Sequence, residues 1–396
     1  MRVPVRAPVR AFALALSFAC LAPAAHADCG GSFDAFVAGV AAEAQAKGID
    51  AATVRGFLAG ARLNPAILKL DRGQGTFRKS FLDFLADRVS KARIANGRAA
   101  IARNQAVFNE IQRRYGIPPG VIAGYWGLET DYGAVQGKFL VRDSLLTLAH
   151  DCRRPDLFRP HLFAAMELYQ RGNFDPNRTI GAWAGEIGQF QMLPEDVLTN
   201  GTDGDGDGHV DVVRSSSDAL MSAAKMLAGF GWRPNEPWLQ EIVVPDSLDW
   251  AQTGLNHQLP VSQWAAMGVR ARSGDLSTGL PGSVLLPMGR KGPAFLAYPN
   301  YRIYFNWNKS FVYATTAAYF ATRLDGAPAL DPRSPEKGLS ADEVKVLQTK
   351  LRAKGHDVGK IDGILGELTR EAVQTEQERA GLPADGWPTK ALLAAL

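Results

Sequence analysis

Long apolar runs, cysteine and an excess of charge of either sign are all scarce in this sequence. After the predominantly apolar stretch from Ala11 to Ala22, no segment is apolar over enough residues to cross a membrane. Only three cysteines occur among 396 residues, and 44 basic residues nearly balance 40 acidic ones. This balance gives no support for nucleic-acid binding. The length allows two domains, each with its own core.

The N-terminus has the pattern of an export signal. Three arginines in the first ten residues precede the apolar stretch, and Ala25-His26-Ala27 is a small-x-small cleavage site. We expect removal of residues 1–27, a mature chain that begins at Asp28 with 41 basic and 40 acidic residues, and a periplasmic location. Lipid anchoring at Cys20 is an alternative, although the leucine usual three positions before such a cysteine is missing.

Two cysteines, Cys29 and Cys152, remain after cleavage. In an oxidising compartment they are predicted to form one disulfide that ties the mature N-terminus to the body. Two free, buried thiols are the alternative.

The periodicity of the mature chain predicts a mainly α-helical domain over residues 28–325 with a small β or irregular insert. Apolar residues recur at helical spacing in Phe77 to Ile94, Ala99 to Tyr115 and Ser217 to Phe230. Strand-like runs are few: Glu241 to Val244 and Tyr301 to Phe305. The insert is expected over residues 250–268 and 283–297.

Residues 326–338 are rich in proline, glycine and charge, which predicts a linker. Ser340 and Glu343 then form a capping box that begins a helix ending near Gly355. A second helix follows Gly366 and a short third one begins at Thr389. Residues 339–396 are therefore expected to be a three-helix module, a size more typical of binding than of catalysis.

Glu129 is the first candidate for chemistry. Its helix is predicted to open at Pro118-Pro119 and to end at Gly133. Ile122, Tyr125 and Glu129 share one face, so the carboxyl group lies among apolar side chains. Burial disfavours the charged form of a carboxyl group and can make it a general acid near neutral pH. A helix-terminal glutamate paired with an arginine is the alternative.

Three further segments carry polar or aromatic groups in informative patterns. Residues 181–194 combine closely spaced glycines with Gln189 and Gln191, whose amides suit sugar hydroxyl and N-acetyl groups. Residues 301–313 combine aromatic rings with asparagines, as sugar sites do, although an aromatic stripe is more often core. Residues 203–214 match an EF-hand calcium loop, with Arg214 in place of the last ligand and Asp218 as its substitute. The candidate ligands are Asp203, Asp205, Asp207, His209 through its carbonyl, Asp211 and Asp218. A metal-free acidic turn is the alternative.

Together these segments resemble the B-type membrane-bound lytic murein transglycosylases, glycoside hydrolase family 103, and their soluble relatives. The matching segments follow the family's order and cover most of residues 29–324: Gly-Leu-Glu129-Thr-x-Tyr132-Gly, Ala-Gly-x-x-Gly-x-x-Gln191-x-x-Pro, the Asp-Gly-Asp-Gly loop, and Asn306-Trp307-Asn308-x-Ser310. The resemblance implies a lysozyme-like catalytic domain. The tail resembles a three-helix peptidoglycan-binding module, with Glu376 where that pattern usually has an aromatic residue.

The resemblance also implies roles for individual residues. Glu129 would be the single acid/base, and the Asp loop would hold a structural calcium ion, with no organic cofactor. The residues expected to bind substrate are Gln191, Asn308, Tyr313, Trp307, Tyr132 and Glu186. Two positions depart from the family: Ala182 stands where some members have a serine, and Glu186 where many have a small or apolar residue.

The implied activity is non-hydrolytic cleavage of peptidoglycan between N-acetylmuramic acid and N-acetylglucosamine, leaving 1,6-anhydro ends. A lysozyme-type hydrolase, with Glu186 or Asp131 activating water, is the nearest alternative. A non-catalytic wall-binding protein and a calcium-regulated interaction protein are the others. Peptidoglycan glycan strands are the expected partner of a monomeric protein, and association with cell-wall synthesis complexes is left open.

Overall fold

The computed structural model describes residues 29–73 and 79–396. The predicted export signal, Asp28 and Phe77 lie outside the described residues. Among the residues described, no helix is both long and apolar enough to cross a membrane.

The body of the protein is α-helical, as predicted. Its helices are α1 (Phe33–Ala46), α2 (Ala51–Leu58), α3 (Pro65–Arg72), α4 (Phe81–Arg88), α5 (Lys91–Arg103), α6 (Gln105–Tyr115), α7 (Pro119–Thr130), α8 (Val141–His150), α9 (Pro155–Gln170), α10 (Pro194–Asn200), α11 (Ser216–Gly229), α12 (Val261–Ala266), α13 (Ile303–Trp307) and α14 (Phe311–Leu324). Polar side chains cap many of the N-termini. Asp50 accepts from the backbone N–H groups of Ala52 and Thr53, and Ser310 accepts from that of Tyr313.

Local caps divide the long periodic segments more finely than predicted. Ser90 caps α5, and Asn104 separates α5 from α6. Helix α7 ends at Thr130, because Asp131 takes a left-handed conformation (φ 53°) and closes the helix three residues before Gly133. These residues offer the backbone alternative hydrogen bonds that hydrophobic periodicity does not register.

The strand predicted at Tyr301 to Phe305 is wrong. Residues Pro299–Arg302 form a 3-10 helix, and α13 follows directly. The rings of Tyr301 and Tyr304 are fully buried and stack with a centroid distance of 6.4 Å. Tertiary packing of these rings, rather than the β propensity of aromatic residues, therefore decides the backbone here.

The predicted insert is an antiparallel sheet in the order β4-β6-β7-β3-β5. Its strands are β3 (Leu239–Val243), β4 (Leu259–Pro260), β5 (Arg270–Ala271), β6 (Pro281–Leu285) and β7 (Ala294–Ala297), while β1 (Phe139–Leu140) and β2 (Ile180–Gly181) pair separately. In the central pair, Leu239 lies opposite Ala297. The insert has its own small core around the fully buried Trp264.

Helices α7 and α14 form the central pair of the body. Glycines on α7 permit their close approach: a Cβ atom at Gly120 would lie 2.6 Å from the Ala321 carbonyl, and one at Gly124 would lie 3.4 Å from the Ala321 nitrogen. Asp325, just after α14, accepts a hydrogen bond from the Gly120 N–H at 3.0 Å. This packing fixes α7, and with it Glu129, relative to α14.

Residues 327–340 contain no helix or strand and lead to α15 (Ala341–Ala353), α16 (Glu367–Arg379) and α17 (Lys390–Ala395). Both hydrogen bonds of the predicted capping box are present at Ser340 and Glu343. Apolar residues from all three helices, including Leu347, Val373 and Leu392, form a separate core.

Glu376 lies buried inside this module rather than on its surface. Burial opposes its ionisation, but hydrogen bonds from His356 (2.7 Å), Lys354 (2.9 Å) and Arg379 lower its pKa to about 2. The carboxylate thus lies in a buried ionic cluster within the module.

Candidate active site

Glu129 is the penultimate residue of α7, a helix with almost no polar face. Every residue from Gly120 to Gly127 is buried. Helix α14 covers one side, and the loop 181–192 covers the C-terminal end. Glu129 itself is partly exposed, so its carboxyl group is surrounded by protein but not sealed from solvent.

Two side chains donate hydrogen bonds to this carboxyl group. The indole Nε1–H of Trp307 donates to Oε1 at 2.9 Å, and the hydroxyl of Tyr313 donates to the same oxygen. Trp307 ends α13, and Tyr313 is in the first turn of α14, where Ser310 caps the helix. Because both donors contact Oε1, the proton of the neutral acid belongs on Oε2.

Aromatic rings hold the two donors in place. The ring of Tyr125, one turn before Glu129 on α7, lies 4.4 Å from the ring of Trp307 between centroids. The ring of Phe190 contacts Trp307 at 6.2 Å and Trp126 at 6.3 Å. Stacked and edge-on rings of this kind leave Trp307 little freedom to move.

The surroundings raise the pKa of Glu129 from 4.5 to about 7. Burial is the main cause, because a charged carboxylate loses its hydration there. The hydrogen bonds from Tyr313 and Trp307 oppose this rise, the nearby Glu186 carboxyl adds to it, and the positive charge of Arg88 lowers it. The acid is therefore about half protonated near neutral pH.

Glu186 lies in the glycine-rich loop that packs against the end of α7. The hydroxyl of Thr130 donates to the Gln189 carbonyl at 2.7 Å, which joins that loop to α7. Burial raises the pKa of Glu186, and backbone N–H groups and the charge of Arg154 oppose the rise. Its Oε2 atom is buried and has no hydrogen-bond partner among the described residues.

The other predicted substrate-binding residues make no hydrogen bond to Glu129 among the described residues. Gln191 has a positive φ of 49°, and its amide donates to the Gly188 carbonyl at 2.8 Å. The Asn308 side chain accepts from the Ser310 N–H at 3.0 Å. Tyr132 points toward α5, where its hydroxyl donates to the Arg93 carbonyl at 2.7 Å.

Arg88 was not a candidate from the sequence. It ends α4, 41 positions before Glu129, yet its charge acts on the Glu129 carboxyl group. Its guanidinium also lies over the Phe84 ring, 5.4 Å from the centroid. An arginine at the end of an amphipathic helix is ordinary on the surface, so no local pattern marks it out.

The acidic loop brings together three of its five predicted carboxylate ligands. Carboxylate oxygens of Asp203, Asp205 and Asp218 lie within 4.8 Å of one another. The carboxylate of Asp207 accepts from the His209 N–H, and that of Asp211 pairs with Arg214. Converging hard oxygen donors fit Ca²⁺, and Asp218 supplies the oxygen that Arg214 lacks.

The structure joins Cys29 and Cys152 in a disulfide, as predicted, with 5.1 Å between their Cα atoms. The bond links the residues before α1 to the turn between α8 and α9. A closed loop of 123 residues is expected to contribute roughly 2–5 kcal/mol to stability.

Comparison with known proteins agrees with this fold and site. The family model for the transglycosylase SLT domain matches residues 32–322, and that for the peptidoglycan binding domain matches residues 340–396. A solved structure of SltB3 from Pseudomonas aeruginosa, in complex with NAG-anhNAM-pentapeptide, is 35% identical in sequence with a TM-score of 0.85. The match covers 92% of this chain and 99% of SltB3.

Two Escherichia coli proteins are more distant relatives. The membrane-bound lytic murein transglycosylase B of strain K12 is 26% identical over 240 residues, a match that spans 60% of this chain and 63% of that relative. The Slt35 structure in complex with calcium has a TM-score of 0.64 and 24% identity, covering 76% of this chain and 96% of Slt35, and supports the fold.

The family model and the SltB3 neighbour place this chain in the class of peptidoglycan lytic transglycosylases. Within that class, the chain belongs to the transglycosylase SLT domain family and carries a C-terminal peptidoglycan-binding domain.

Proposed function

We propose that the protein is an exported enzyme that cleaves the β-1,4 bond between N-acetylmuramic acid and N-acetylglucosamine without water, with Glu129 as its only acid/base. The observation that carries this proposal is one carboxyl group with a pKa of about 7, held on Oε1 by Trp307 and Tyr313. A group that is half protonated at neutral pH can both give and take a proton.

In the first step, Oε2 of Glu129 donates its proton to the glycosidic oxygen. The bond from that oxygen to the anomeric carbon of muramic acid breaks, and the N-acetylglucosamine part leaves as an alcohol. The N-acetyl oxygen of the muramic residue stabilises the positive anomeric carbon from within the substrate, so no partner carboxylate is required.

In the second step, the ionised Glu129 accepts the proton of the muramic C6 hydroxyl. The C6 oxygen attacks the anomeric carbon, closes the 1,6-anhydro ring and restores the acid. The donors Trp307 and Tyr313 stabilise the carboxylate between the two steps, since both hydrogen bonds favour the charged form.

Around this acid, the proposed substrate-binding residues are Gln191, Asn308, Tyr132 and Glu186, in addition to Trp307 and Tyr313. The amide of Gln191 and the ring of Trp307 offer a hydrogen-bonding group and a sugar-stacking face. Because Ala182 lacks a hydroxyl group, we propose that the carboxyl group of Glu186 supplies a polar contact to the substrate instead.

A lysozyme-type hydrolase is the second candidate, because Glu186 lies close enough to influence the pKa of Glu129. Mass spectrometry of muropeptides released from purified sacculi distinguishes the two reactions. We expect products one water lighter than hydrolytic fragments, ending in anhydro-muramic acid. Reducing muramic acid ends would establish the hydrolase, and no release would leave a non-catalytic wall-binding protein.

Replacing Glu186 is expected to change the pH dependence of the reaction. In Glu186→Gln, the negative charge that raises the pKa of Glu129 is lost, so that pKa falls and the high-pH limb of kcat/KM moves to lower pH. The carboxyl group of Glu129 stays buried in this variant, so its pKa loses only part of the total rise above 4.5. Glu195→Gln, at an exposed carboxylate, is the control and should leave the high-pH limb in place. If the limb also stays in place in Glu186→Gln, the electrostatic coupling between Glu186 and Glu129 is contradicted.

We also propose a structural calcium site formed by Asp203, Asp205 and Asp218. Adding Ca²⁺ is expected to raise the melting temperature, because an ion bound only by the folded state stabilises it by about 2.7 kcal/mol at a hundred times its Kd. Asp218→Asn should abolish this calcium-dependent increase, whereas Asp275→Asn, in the exposed part of the insert, should retain it. Equal increases in both variants would exclude this ligand set.

The proposed organisation is an export signal over residues 1–27, a catalytic domain over 28–325, a linker over 326–338 and a binding module over 339–396. The two family matches, 32–322 and 340–396, support the division. A periplasmic location, a monomeric state and glycan strands as the partner complete the proposal. N-terminal sequencing of the protein recovered from a periplasmic fraction tests the predicted cleavage after Ala27.

A further inference from the structure

The C-terminal module is docked on the catalytic domain through buried polar contacts. The Gln374 amide, on α16, donates to the carbonyls of Trp250 (2.8 Å) and Thr253 (2.9 Å) in the insert. The carboxyl group of Glu367 accepts from the Leu255 N–H at 3.1 Å. A cleft of about 30 Å³ at this interface is lined by residues of both units. The module is therefore in close contact with the body.

Arg370, also on α16, crosses this interface toward helix α14. Its two terminal nitrogens donate to the carbonyls of Leu286 (3.4 Å) and Pro287 (2.8 Å). Its guanidinium carbon lies 4.6 Å from the centroid of the Phe311 ring and 5.7 Å from that of Trp387. Carbonyl groups thus orient a cation against two aromatic faces, one from each unit.

The ring that Arg370 contacts belongs to the first residue of α14. Phe311 follows the cap Ser310 and precedes Tyr313 by two positions. It also packs against Phe305 of α13, with 6.4 Å between the ring centroids. The same short segment therefore carries both donors to Glu129, because Trp307 ends α13 and Tyr313 lies in the first turn of α14.

We propose that Arg370 is a positioning residue for the reaction: through Phe311 it holds the α13–α14 junction so that Trp307 and Tyr313 reach Oε1 of Glu129. The peptidoglycan-binding module then completes the active site of its own chain, besides any affinity for glycan. The proposal rests on the proposed function, in which Glu129 is the acid.

Charged and titratable groups act on both Arg370 and Glu129. Glu367 on the same helix and Asp385 in the loop before α17 act on the Arg370 guanidinium, together with the Tyr301 phenol. At the other end, Glu186 and Arg88 act on Glu129 besides its two donors. Burial lowers the pKa of Arg370 to about 10, so the guanidinium remains charged at neutral pH.

The test compares Arg370→Ala and Arg370→Lys with Arg379→Ala in the full-length protein. Arg379 is a matched control, because it pairs with Glu376 within the module and is 63% exposed. We expect Arg370→Ala to lose on the order of tenfold in kcat, since small displacements of catalytic groups are costly, with KM changed less. Lysine keeps the charge but loses the planar contact, so it should rescue only in part.

Two further readouts separate positioning from general destabilisation. If the Tyr313 hydrogen bond weakens, the pKa of Glu129 rises, and the high-pH limb of kcat/KM moves to higher pH. Hydrogen exchange of the amides over residues 308–316 should become faster in the Arg370 variants and not in Arg379→Ala. An Arg370→Ala protein with wild-type kcat, pH profile and exchange would overturn the proposal.

Should Arg370→Ala fail to fold, Phe311→Leu removes the ring from the other side of the contact and keeps an apolar side chain. The same fall in kcat and the same pH shift are expected, and wild-type values for both would overturn the proposal. Hydrogen exchange does not depend on catalysis. Failure of the proposed function, seen as full turnover in Glu129→Gln, is therefore distinguishable from failure of the positioning role.

Discussion

Glu129→Gln is expected to abolish turnover of sacculi, with a loss on the order of a hundredfold or more. Glutamine has nearly the same shape and can still accept the hydrogen bonds that Trp307 and Tyr313 donate to Oε1. It cannot donate a proton to the glycosidic oxygen or accept one from the C6 hydroxyl. The rate of muropeptide release, measured by chromatography with saturating sacculi, is the direct readout.

Glu110→Gln is the matched control, because Glu110 is an exposed carboxylate paired with Arg113 on the surface of α6. It should retain wild-type turnover. The Glu129→Gln protein should still sediment with sacculi and melt at or above the wild-type temperature, since it no longer buries an ionisable carboxyl group. Undiminished turnover in Glu129→Gln would remove Glu129 from the mechanism, whatever the products are.

The second large effect concerns pH. The pKa of Glu129 is about 7, and the first step needs the protonated form, so kcat/KM should fall tenfold for each pH unit above that value. At pH 9 the expected loss is about a hundredfold. Activity is lost on the alkaline side because burial raises the pKa of Glu129, which keeps the acid mainly protonated below pH 7. The pH dependence of kcat/KM is measured from initial rates across pH 5–9 in buffers of constant ionic strength.

Tyr313→Phe provides an internal check on this profile. The Tyr313 hydroxyl lowers the pKa of Glu129, so its removal should move the high-pH limb upward, opposite in direction to Glu186→Gln. Activity that rises between pH 7 and 9 would mean that Glu129 acts first as a base, which the proposed order of steps forbids. Melting curves at each pH separate catalytic loss from unfolding.

Several features could be predicted from sequence because their causes are local. The capping box at Ser340 and Glu343 depends on residues three positions apart, and both of its hydrogen bonds are present. The apolar face around Glu129 depends on helical spacing within one segment. The mainly helical fold with a small antiparallel insert follows from the same periodicity, and the resemblance to lytic murein transglycosylases supplied the lysozyme-like class.

Other predictions failed or were incomplete where distant residues decide the outcome. Tyr301 and Tyr304 read as part of a strand, but packing of their rings places them in a 3-10 and an α-helix. The spacing of the acidic loop predicted five carboxylate ligands and the His209 carbonyl, and the folded loop brings carboxylate oxygens of Asp203, Asp205 and Asp218 within 4.8 Å of one another. The carboxylate of Asp207 accepts from the His209 N–H, and that of Asp211 pairs with Arg214.

The sequence by itself determined the class of protein, the helix that carries Glu129 and the identity of the acid to test. Only the tertiary structure decided the environment of that acid: two donors to one oxygen from α13 and α14, and the opposing charges of Glu186 and Arg88. The physical reason is that a pKa depends on burial and on charges within a few ångströms. The neighbours of Glu129 lie 41 to 184 positions away from it in the sequence, so no local sequence pattern predicts them.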